Sequence, residues 1–164
     1  LDISNPESRA FKPECIDFKM VSLLEELRAE FTDIAREKGI GLIMTPCGAT
    51  VHSDPALVGQ ALRNLLSNAI KYTQRGSVEV RARQVDDRVR IDIADTGIGI
   101  APGDLSRIYD PFFTTKAVGK GTGLGLWISY SIIEKMGGNL SLQSKEGQGA
   151  TFTITLPIVL PSKK

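Results

Sequence analysis

The sequence predicts an α+β domain, in which helices and strands do not alternate regularly. Apolar residues recur at helical spacing over 20–38 and 56–73, which indicates two long amphipathic helices. Alternating apolar and polar residues over 77–94 and 139–157 indicate two β-hairpins, each with a short turn that contains Asp or Gly. The predicted order is β-α-β-α-β-β-loop-α-β-β, which lacks the regular βαβ repeat of parallel α/β folds.

The first elements follow a segment without clear structure. Residues 1–13 contain two prolines and show no sustained period, which is typical of a linker. A short strand is predicted over 16–18, and the first helix then spans 20–38 and ends at Gly39. The apolar segment GLIM, 41–44, is predicted to be a short buried strand.

The second helix has a well-defined start. Asp54 provides an N-cap and Pro55 occupies the first helical position, where proline is favoured. This helix is expected to end near Thr73, before the first hairpin, which turns at Asp86-Asp87.

The C-terminal part contains the longest irregular segment. Residues 96–121 are loop-like, with one short helix predicted near 102–108. A last helix is predicted from about 122 to the pair Gly137-Gly138, which serves as a glycine C-cap. The second hairpin turns at Glu146-Gly147.

Composition excludes several classes of function. The chain has 164 residues, of which 41% are hydrophobic, enough for the core of one domain. Its net charge of +1 gives no electrostatic reason to expect binding to nucleic acid or to a lipid surface. No apolar run approaches the roughly 20 residues of a membrane span. Cys15 and Cys47 are too few for a disulfide framework, and the single histidine, His52, excludes catalytic triads and histidine-based zinc sites.

The second predicted helix carries a polar stripe beside its core face. At about 100° per residue, Asn64, Asn68 and Lys71 lie within a narrow sector between the apolar face and the solvent face. Such residues are commonly ordinary surface positions. However, asparagine is a poor helix former, and amide oxygens suit Mg²⁺ while a lysine can reach a phosphate. The helix alone leaves both interpretations open.

The aspartate that ends the RVRIDIAD segment is a second candidate. Val89, Ile91 and Ile93 share one face of this strand. The two-residue period puts Asp95 on the same, core-facing side. The alternative is an ordinary turn aspartate before Gly97. An inward carboxylate needs hydrogen-bond donors, and the exocyclic amine of adenine is a donor where guanine has a carbonyl.

The third candidate is the stretch GKGTGLGL at 119–126, which leads directly into an apolar helix. Exposed N–H groups and the dipole at a helix start together form a site for anions. The stretch has neither the P-loop pattern nor the Rossmann fingerprint. A phosphate-binding loop of another kind is favoured over a merely flexible connection.

These segments, in this order, resemble the ATP-binding domain of sensor histidine kinases, in the superfamily shared with DNA gyrase, heat-shock chaperone and mismatch-repair ATPases. NLLSNAIKY is similar to the N box, DTGIGI to the first glycine box, PFFTTK to the phenylalanine box and GKGTGLGL to the second glycine box. GQGATFTITLP resembles the closing strand near the adenine. The resemblance implies the Bergerat-type fold, a two-layer α/β sandwich whose mixed β-sheet is covered on one face by helices, with a mobile ATP lid.

The resemblance also implies the ligands, ATP and Mg²⁺, and a role for each matching residue. Asn68 would bind the metal, and Asn64 would lie close to the metal and the phosphates. Lys71 would contact a phosphate, Tyr72 would lie against the nucleotide, and Asp95 would accept a hydrogen bond from the adenine amine.

Further site residues are implied on both sides of the nucleotide. The adenine side would include Gly97, Gly99 and Ile100, with Thr151 acting through water. The lid would comprise Phe112, Phe113, Thr114, Thr115 and Lys116. Lys116 is implied in catalysis together with Asn64 and Lys71. The phosphates would be surrounded by Gly119, Lys120, Gly121, Thr122, Gly123, Leu124 and Gly125.

One departure distinguishes this chain within the superfamily. The hydrolytic relatives have a glutamate, the base that activates water, where this chain has Asn64. An amide cannot accept that proton. The sequence therefore indicates a domain that positions ATP for an external nucleophile and contributes orientation and charge neutralisation.

The resemblance implies partners outside the chain. In the family the accepting histidine lies in a preceding dimerisation helix hairpin, and a response regulator acts downstream. Residues 1–13 are then a linker or the end of that hairpin, 14–160 the catalytic domain and 161–164 a tail. His52 does not match an acceptor motif and is expected to be structural.

The two cysteines fit a reducing, cytosolic setting, and the net charge of +1 fits a domain without nucleic acid or direct membrane contact. The fragment is therefore expected to be cytoplasmic, and it is also expected to be monomeric. Its parent protein could be either soluble or membrane-anchored. Two alternatives stay open: an ATP-hydrolysing conformational ATPase of the same superfamily, and a degenerate docking module that has lost nucleotide affinity.

Overall fold

The computed structural model describes residues 12–97, 125–144 and 147–159. The helices are α1 (Met20–Lys38), α2 (Pro55–Tyr72) and α3 (Gly125–Lys135). The strands are β1 (Ile16–Lys19), β2 (Gly41–Thr45), β3 (Thr50–Ser53), β4 (Ser77–Val85), β5 (Arg88–Asp95), β6 (Asn139–Ser144) and β7 (Ala150–Pro157).

Five of these strands form a mixed sheet in the order β2-β4-β5-β7-β6. Strand β2 runs parallel to β4, and every other neighbouring pair is antiparallel. Strands β1 and β3 form a separate antiparallel ribbon, which a bridge between Val51 and Ile158 connects to the end of β7. The predicted α+β class with a mixed sheet is confirmed.

One face of the sheet packs against the helices and the other is polar. Buried and less buried residues alternate along β7, as expected for a strand with one covered face. Helix α2 contacts both α1 and α3 as well as β4 and β5, so it is central to the helical layer. The largest fully buried side chains are Met20, Leu24, Leu27, Leu62, Leu65, Leu66, Ile91, Ile93, Ile132, Ile133, Ile154 and Leu156.

Several local predictions are confirmed by backbone geometry. The N-cap of α2 is Asp54, whose carboxylate accepts hydrogen bonds from the amides of Ala56 and Leu57. Helix α1 ends at Gly39 in the left-handed conformation, with φ of 78°. The hairpin of β4 and β5 turns at Asp86, which has a positive φ of 56°.

Near the N-terminus one prediction is wrong, and one strand of the structure was not predicted. The segment GLIM forms β2, but this strand lies at the edge of the sheet and Ile43 is 51% exposed, so the prediction that it is buried is wrong. Strand β3 was not predicted, because it depends on pairing with β1, more than 30 residues earlier, where Phe18 opposes Val51.

Some predictions lie outside the described residues. These concern residues 1–11, almost all of the loop at 96–121 with its short helix, the predicted start of the last helix near 122, and residues 160–164. The last helix is described from Gly125 and is followed by Gly137, whose φ of 81° agrees with the predicted glycine cap. None of the helices in the described ranges is long and apolar enough to cross a membrane.

Asp54 provides a test of how the central helix is held. Its carboxylate caps α2 through Oδ1, and Oδ2 accepts a hydrogen bond of 2.8 Å from the Glu14 amide. We expect Asp54→Ala to lower the free energy of unfolding by about 1–2 kcal/mol, because the helix cap and the hydrogen bond with the Glu14 amide are both lost. Denaturant unfolding measures this change.

Asp33→Ala is the matched control, because Asp33 is exposed and makes a surface ion pair with Arg36. This substitution should lower the free energy of unfolding by about 0.5 kcal/mol or less. Equal losses in the two variants would show that the Asp54 cap contributes nothing specific.

Candidate functional site

Helix α2 presents three faces, as its periodicity predicts. Its buried face comprises Val58, Ala61, Leu62, Leu65, Leu66, Ala69 and Ile70. Gln60 and Ser67 are exposed, whereas Asn64 and Asn68 are half-buried beside the core face. Lys71 is exposed at the last turn of the same helix. The core contacts of α2 therefore fix its rotation and hold both asparagine side chains at the border of the helical layer.

Asp95 ends β5 on the face that the sequence predicts. Its Oδ1 accepts a hydrogen bond of 2.9 Å from the Gly97 amide and one of 3.2 Å from the Ala150 amide. Burial raises the pKa of this carboxyl group above its ordinary value, and the two backbone hydrogen bonds oppose the rise. Within the described ranges no residue donates to Oδ2, so this oxygen can accept a hydrogen bond from a ligand.

Two glycines allow the backbone to reach this carboxylate. A Cβ atom on Gly97 would lie 2.5 Å from the carbonyl oxygen of Tyr72 and 3.0 Å from Oδ1 of Asp95. Gly149 has a φ of 91°, and a Cβ atom there would overlap the carbonyl group of Asp95. Gly149 was not among the predicted site residues, although its segment GQGAT was identified as the start of the closing strand.

The structure places Thr151 away from Asp95. In the register of β5 and β7, Thr151 opposes Ala94 and Phe152 opposes Ile93. Because side chains alternate along a strand, Thr151 and Ala94 share the polar face, opposite to Ile93 and Asp95. The register therefore gives no support to the expected role of Thr151, and the neighbour of the carboxylate is Ala150, which contributes its backbone amide.

The ends of α2 and β5 meet at this point. Tyr72 is the last residue of α2 and its carbonyl group lies against Gly97. Burial raises the pKa of the half-buried Tyr72 phenol, and the neighbouring Lys71 charge opposes the rise. Thr96 strengthens the junction, because its hydroxyl donates to the Arg75 carbonyl at 3.0 Å and accepts from the Ser77 amide at 3.2 Å.

Helix α3 is joined to α2 by a buried hydrogen bond. The Ser129 hydroxyl donates to the Ala61 carbonyl at 3.1 Å. Gly125, the first residue of α3, is four residues before Ser129, which is about 6 Å along a helix axis. The N-terminal half of α3 therefore adjoins α2 at Ala61, about one turn before Asn64.

The structure thus brings together part of the predicted site. It places Asp95, Gly97, Lys71 and Tyr72 around the junction of α2 and β5, with the two asparagines on the preceding turns of α2. Thirteen predicted residues lie outside the described ranges: Gly99, Ile100, Phe112, Phe113, Thr114, Thr115, Lys116, Gly119, Lys120, Gly121, Thr122, Gly123 and Leu124. Among the residues that the structure describes, no group of three His, Cys, Asp or Glu could hold a metal ion.

Comparison with known proteins supports the same family. The profile described as "Histidine kinase-, DNA gyrase B-, and HSP90-like ATPase" matches residues 53–160. The chain is 36% identical over 175 residues to the autoinducer 2 sensor kinase/phosphatase LuxQ of Vibrio cholerae, covering 99% of this chain and 20% of LuxQ. It is 34% identical to the sensor histidine kinase RcsC of Escherichia coli, covering 100% of this chain and 18% of RcsC.

Solved structures show the same relationship. Full-length ShkA in complex with AMPPNP superimposes with a TM-score of 0.85 and 31% identity, covering 98% of this chain and 35% of ShkA. The nucleotide-free catalytic domain of the histidine kinase ThkA has a TM-score of 0.79 and 30% identity, covering 88% of this chain and 95% of that domain.

The chain spans about a fifth of the length of the curated relatives described above, but nearly all of the isolated catalytic domain of ThkA. The resemblance to histidine kinases and the fold that it implies are therefore confirmed. The chain belongs to the histidine kinase-, DNA gyrase B- and HSP90-like ATPase family, and it is a catalytic domain of the sensor histidine kinase type.

Proposed function

We propose that this domain binds ATP with Mg²⁺ and presents the γ-phosphoryl group to a histidine on a separate dimerisation domain of the same parent protein. The observation that carries the proposal is the Asp95 carboxylate, held through Oδ1 by two backbone amides while Oδ2 can accept from a ligand. The complex of the similar protein ShkA with AMPPNP supports a nucleotide as the ligand.

Asp95 would select adenine by the polarity of its hydrogen bond. Adenine carries an amine at the ring position where guanine carries a carbonyl group. A carboxylate accepts a hydrogen bond from the adenine amine but repels the guanine carbonyl oxygen. The amides of Gly97 and Ala150 fix the carboxylate, so no side-chain rearrangement is needed on binding. Gly99 and Ile100 would line the same adenine side of the site.

The asparagine stripe would serve the phosphate end of the nucleotide. Asn68 fits a Mg²⁺ ligand because its amide oxygen is a hard donor, and Mg²⁺ is commonly held by one or two protein ligands together with phosphates. Asn64 lies one turn earlier and would face the metal and phosphates, while Lys71 would contribute a positive charge. When bound, the metal would neutralise phosphate charge.

The remaining predicted residues would complete the phosphate site. The glycine-rich stretch that leads into α3 would donate backbone N–H groups at a helix start, where anions are favoured. It comprises Gly119, Lys120, Gly121, Thr122, Gly123, Leu124 and Gly125. Lys116 would approach the transferred group from the lid.

Asn64 favours transfer to an external nucleophile over hydrolysis. A hydrolytic site needs a base that accepts a proton from the attacking water, and an amide has no such capacity. The domain would instead orient ATP and exclude competing water, and the partner histidine would be the nucleophile. A response regulator would then receive the phosphoryl group.

The location and partners follow from the same proposal. The curated relatives are named as sensor kinases, and this chain spans only a small part of them. A dimerisation domain with the accepting histidine would be supplied by the parent protein, in the cytoplasm, and this domain alone would be monomeric.

Asp95→Asn tests the adenine contact. The substitution keeps the size of the side chain but removes the charge that accepts the amine, so ATP affinity should fall by about 30-fold or more. Preference for ATP over GTP should also disappear. Calorimetric titration with each nucleotide measures both effects.

Asp92→Asn is the matched control on the same strand, because Asp92 binds Thr153 and Arg90 on the opposite face of the sheet. It should bind ATP like the parent chain. Parent-like ATP binding by Asp95→Asn would exclude the adenine assignment.

Asn68→Ala tests the metal contact. We expect it to weaken ATP binding by about tenfold in buffer with Mg²⁺ and by much less in buffer with EDTA. The Asn68 amide would contribute to binding through the metal, and EDTA removes the metal. Titrations in parallel buffers measure the difference. Ser67→Ala, at an exposed neighbouring position of α2, should change neither value. Equal losses with and without metal would remove Asn68 from the metal site.

The transfer reaction itself can be tested by mixing this chain with candidate dimerisation domains and γ-labelled ATP. We expect acid-labile label on the histidine of the other domain and none on this chain, whose only histidine is His52. Rapid steady-state phosphate release without a labelled acceptor would instead indicate a hydrolytic ATPase.

A further inference from the structure

We propose that Lys38 is a positioning residue for the nucleotide site: its ammonium group caps the C-terminal end of α2 and thereby holds the junction between α2 and β5. Lys38 is distant in sequence from every motif of the site and was not identified from the sequence. The inference rests on the proposed function, because it assigns the junction a role in binding nucleotide.

The contact is direct and involves two backbone carbonyl groups. Lys38 is the last residue of α1, and its Nζ donates to the carbonyl oxygen of Ile70 at 2.7 Å and to that of Lys71 at 2.6 Å. These carbonyls lie 32 and 33 residues further along the chain. The end of one helix is therefore tied to the end of another by a charged group.

The carbonyls at the end of α2 need such donors. The last four carbonyl groups of an α-helix have no partner within the helix. Thr73 donates its hydroxyl to the Ala69 carbonyl at 2.8 Å, but its amide reaches the Ile70 carbonyl only at 3.4 Å. Lys38 supplies the short, charge-assisted hydrogen bonds at Ile70 and Lys71, and its charge complements the negative end of the helix dipole.

This turn of α2 is the part that touches the adenine side of the site. The Tyr72 carbonyl lies against Gly97, and the Gly97 amide donates to Asp95. A shift of the last turn of α2 would therefore move Lys71 and Tyr72 and would also disturb the amide that fixes the carboxylate. Lys38 would thus affect both ends of the ligand without touching it.

The test compares ATP binding by Lys38→Met, Lys38→Arg and the parent chain. We expect Lys38→Met to weaken ATP binding by about fivefold to tenfold, because the end of α2 loses its donors. Lys38→Arg should bind within about twofold of the parent, since a guanidinium can also donate to two carbonyls. Lys19→Met is the matched control, because Lys19 lies at the other end of α1 and makes no side-chain cap hydrogen bond.

A spectroscopic measurement separates positioning from general stability. In ¹H–¹⁵N NMR spectra without nucleotide, Lys38→Met should shift the amide signals of Thr73, Gly97 and Ala150, whereas Lys19→Met should leave them unchanged. Denaturant unfolding establishes that each variant is folded at the temperature of titration. If Lys38→Met does not fold, Lys38→Gln, which retains a neutral donor, is measured in the same way and should show a smaller loss of the same kind.

The proposal is overturned if Lys38→Met loses stability but binds ATP like the parent chain and leaves the Gly97 amide signal unchanged. Failure of the proposed function is a different result, in which the parent chain itself does not bind ATP. In that case the NMR shifts still decide whether Lys38 positions the junction.

Discussion

The described part of the site depends on one constraint, the carboxylate of Asp95 on the core-facing side of the sheet. A partly buried carboxylate is tolerated only with donors, and here the donors are the backbone amides of Gly97 and Ala150. The Gly97 amide follows Asp95 in the same segment, whereas the Ala150 amide is supplied only if the start of β7 approaches the end of β5. The end of α2 packs against the same turn, where the Tyr72 carbonyl lies close to Gly97. Glycine is required at 97 and 149 because a Cβ atom would collide with these neighbours.

Helix α2 meets this constraint while it also forms the centre of the core. Its buried leucines contact the neighbouring helices and the sheet. Rotation of α2 would therefore expose apolar surface, at a free-energy cost of about 25 cal/mol for each Å² exposed. The same packing holds Asn64 and Asn68 at the border of the helical layer. Core packing and ligand geometry are therefore not independent properties of this helix, and changes in Leu62, Leu65 or Leu66 would act on both.

Local signals in the sequence predicted the helices, both hairpins and the direction of Asp95, because caps and periodicity depend on neighbouring residues. Strand β3 and the exposed edge at β2 were not predicted, since both depend on pairing between distant segments. The role expected for Thr151 also has a local signal that opposes it. Alternation in ATFTITLP already places Thr151 opposite to Ala150 and Phe152, so the strand period argued against it.

Lys38 shows why the rest of such a site cannot be found from motifs. The groups that hold the junction are mainly backbone atoms: the amides of Gly97 and Ala150 and the carbonyls of Ile70 and Tyr72. Backbone groups are present in every residue, so they leave a sequence signal only where they exclude a side chain, as at the two glycines. A lysine that binds carbonyls leaves no comparable signal, because its partners can be of any residue type. Motifs therefore indicate the ligand contacts that we propose for this domain, whereas the residues that would position those contacts become visible only in the structure.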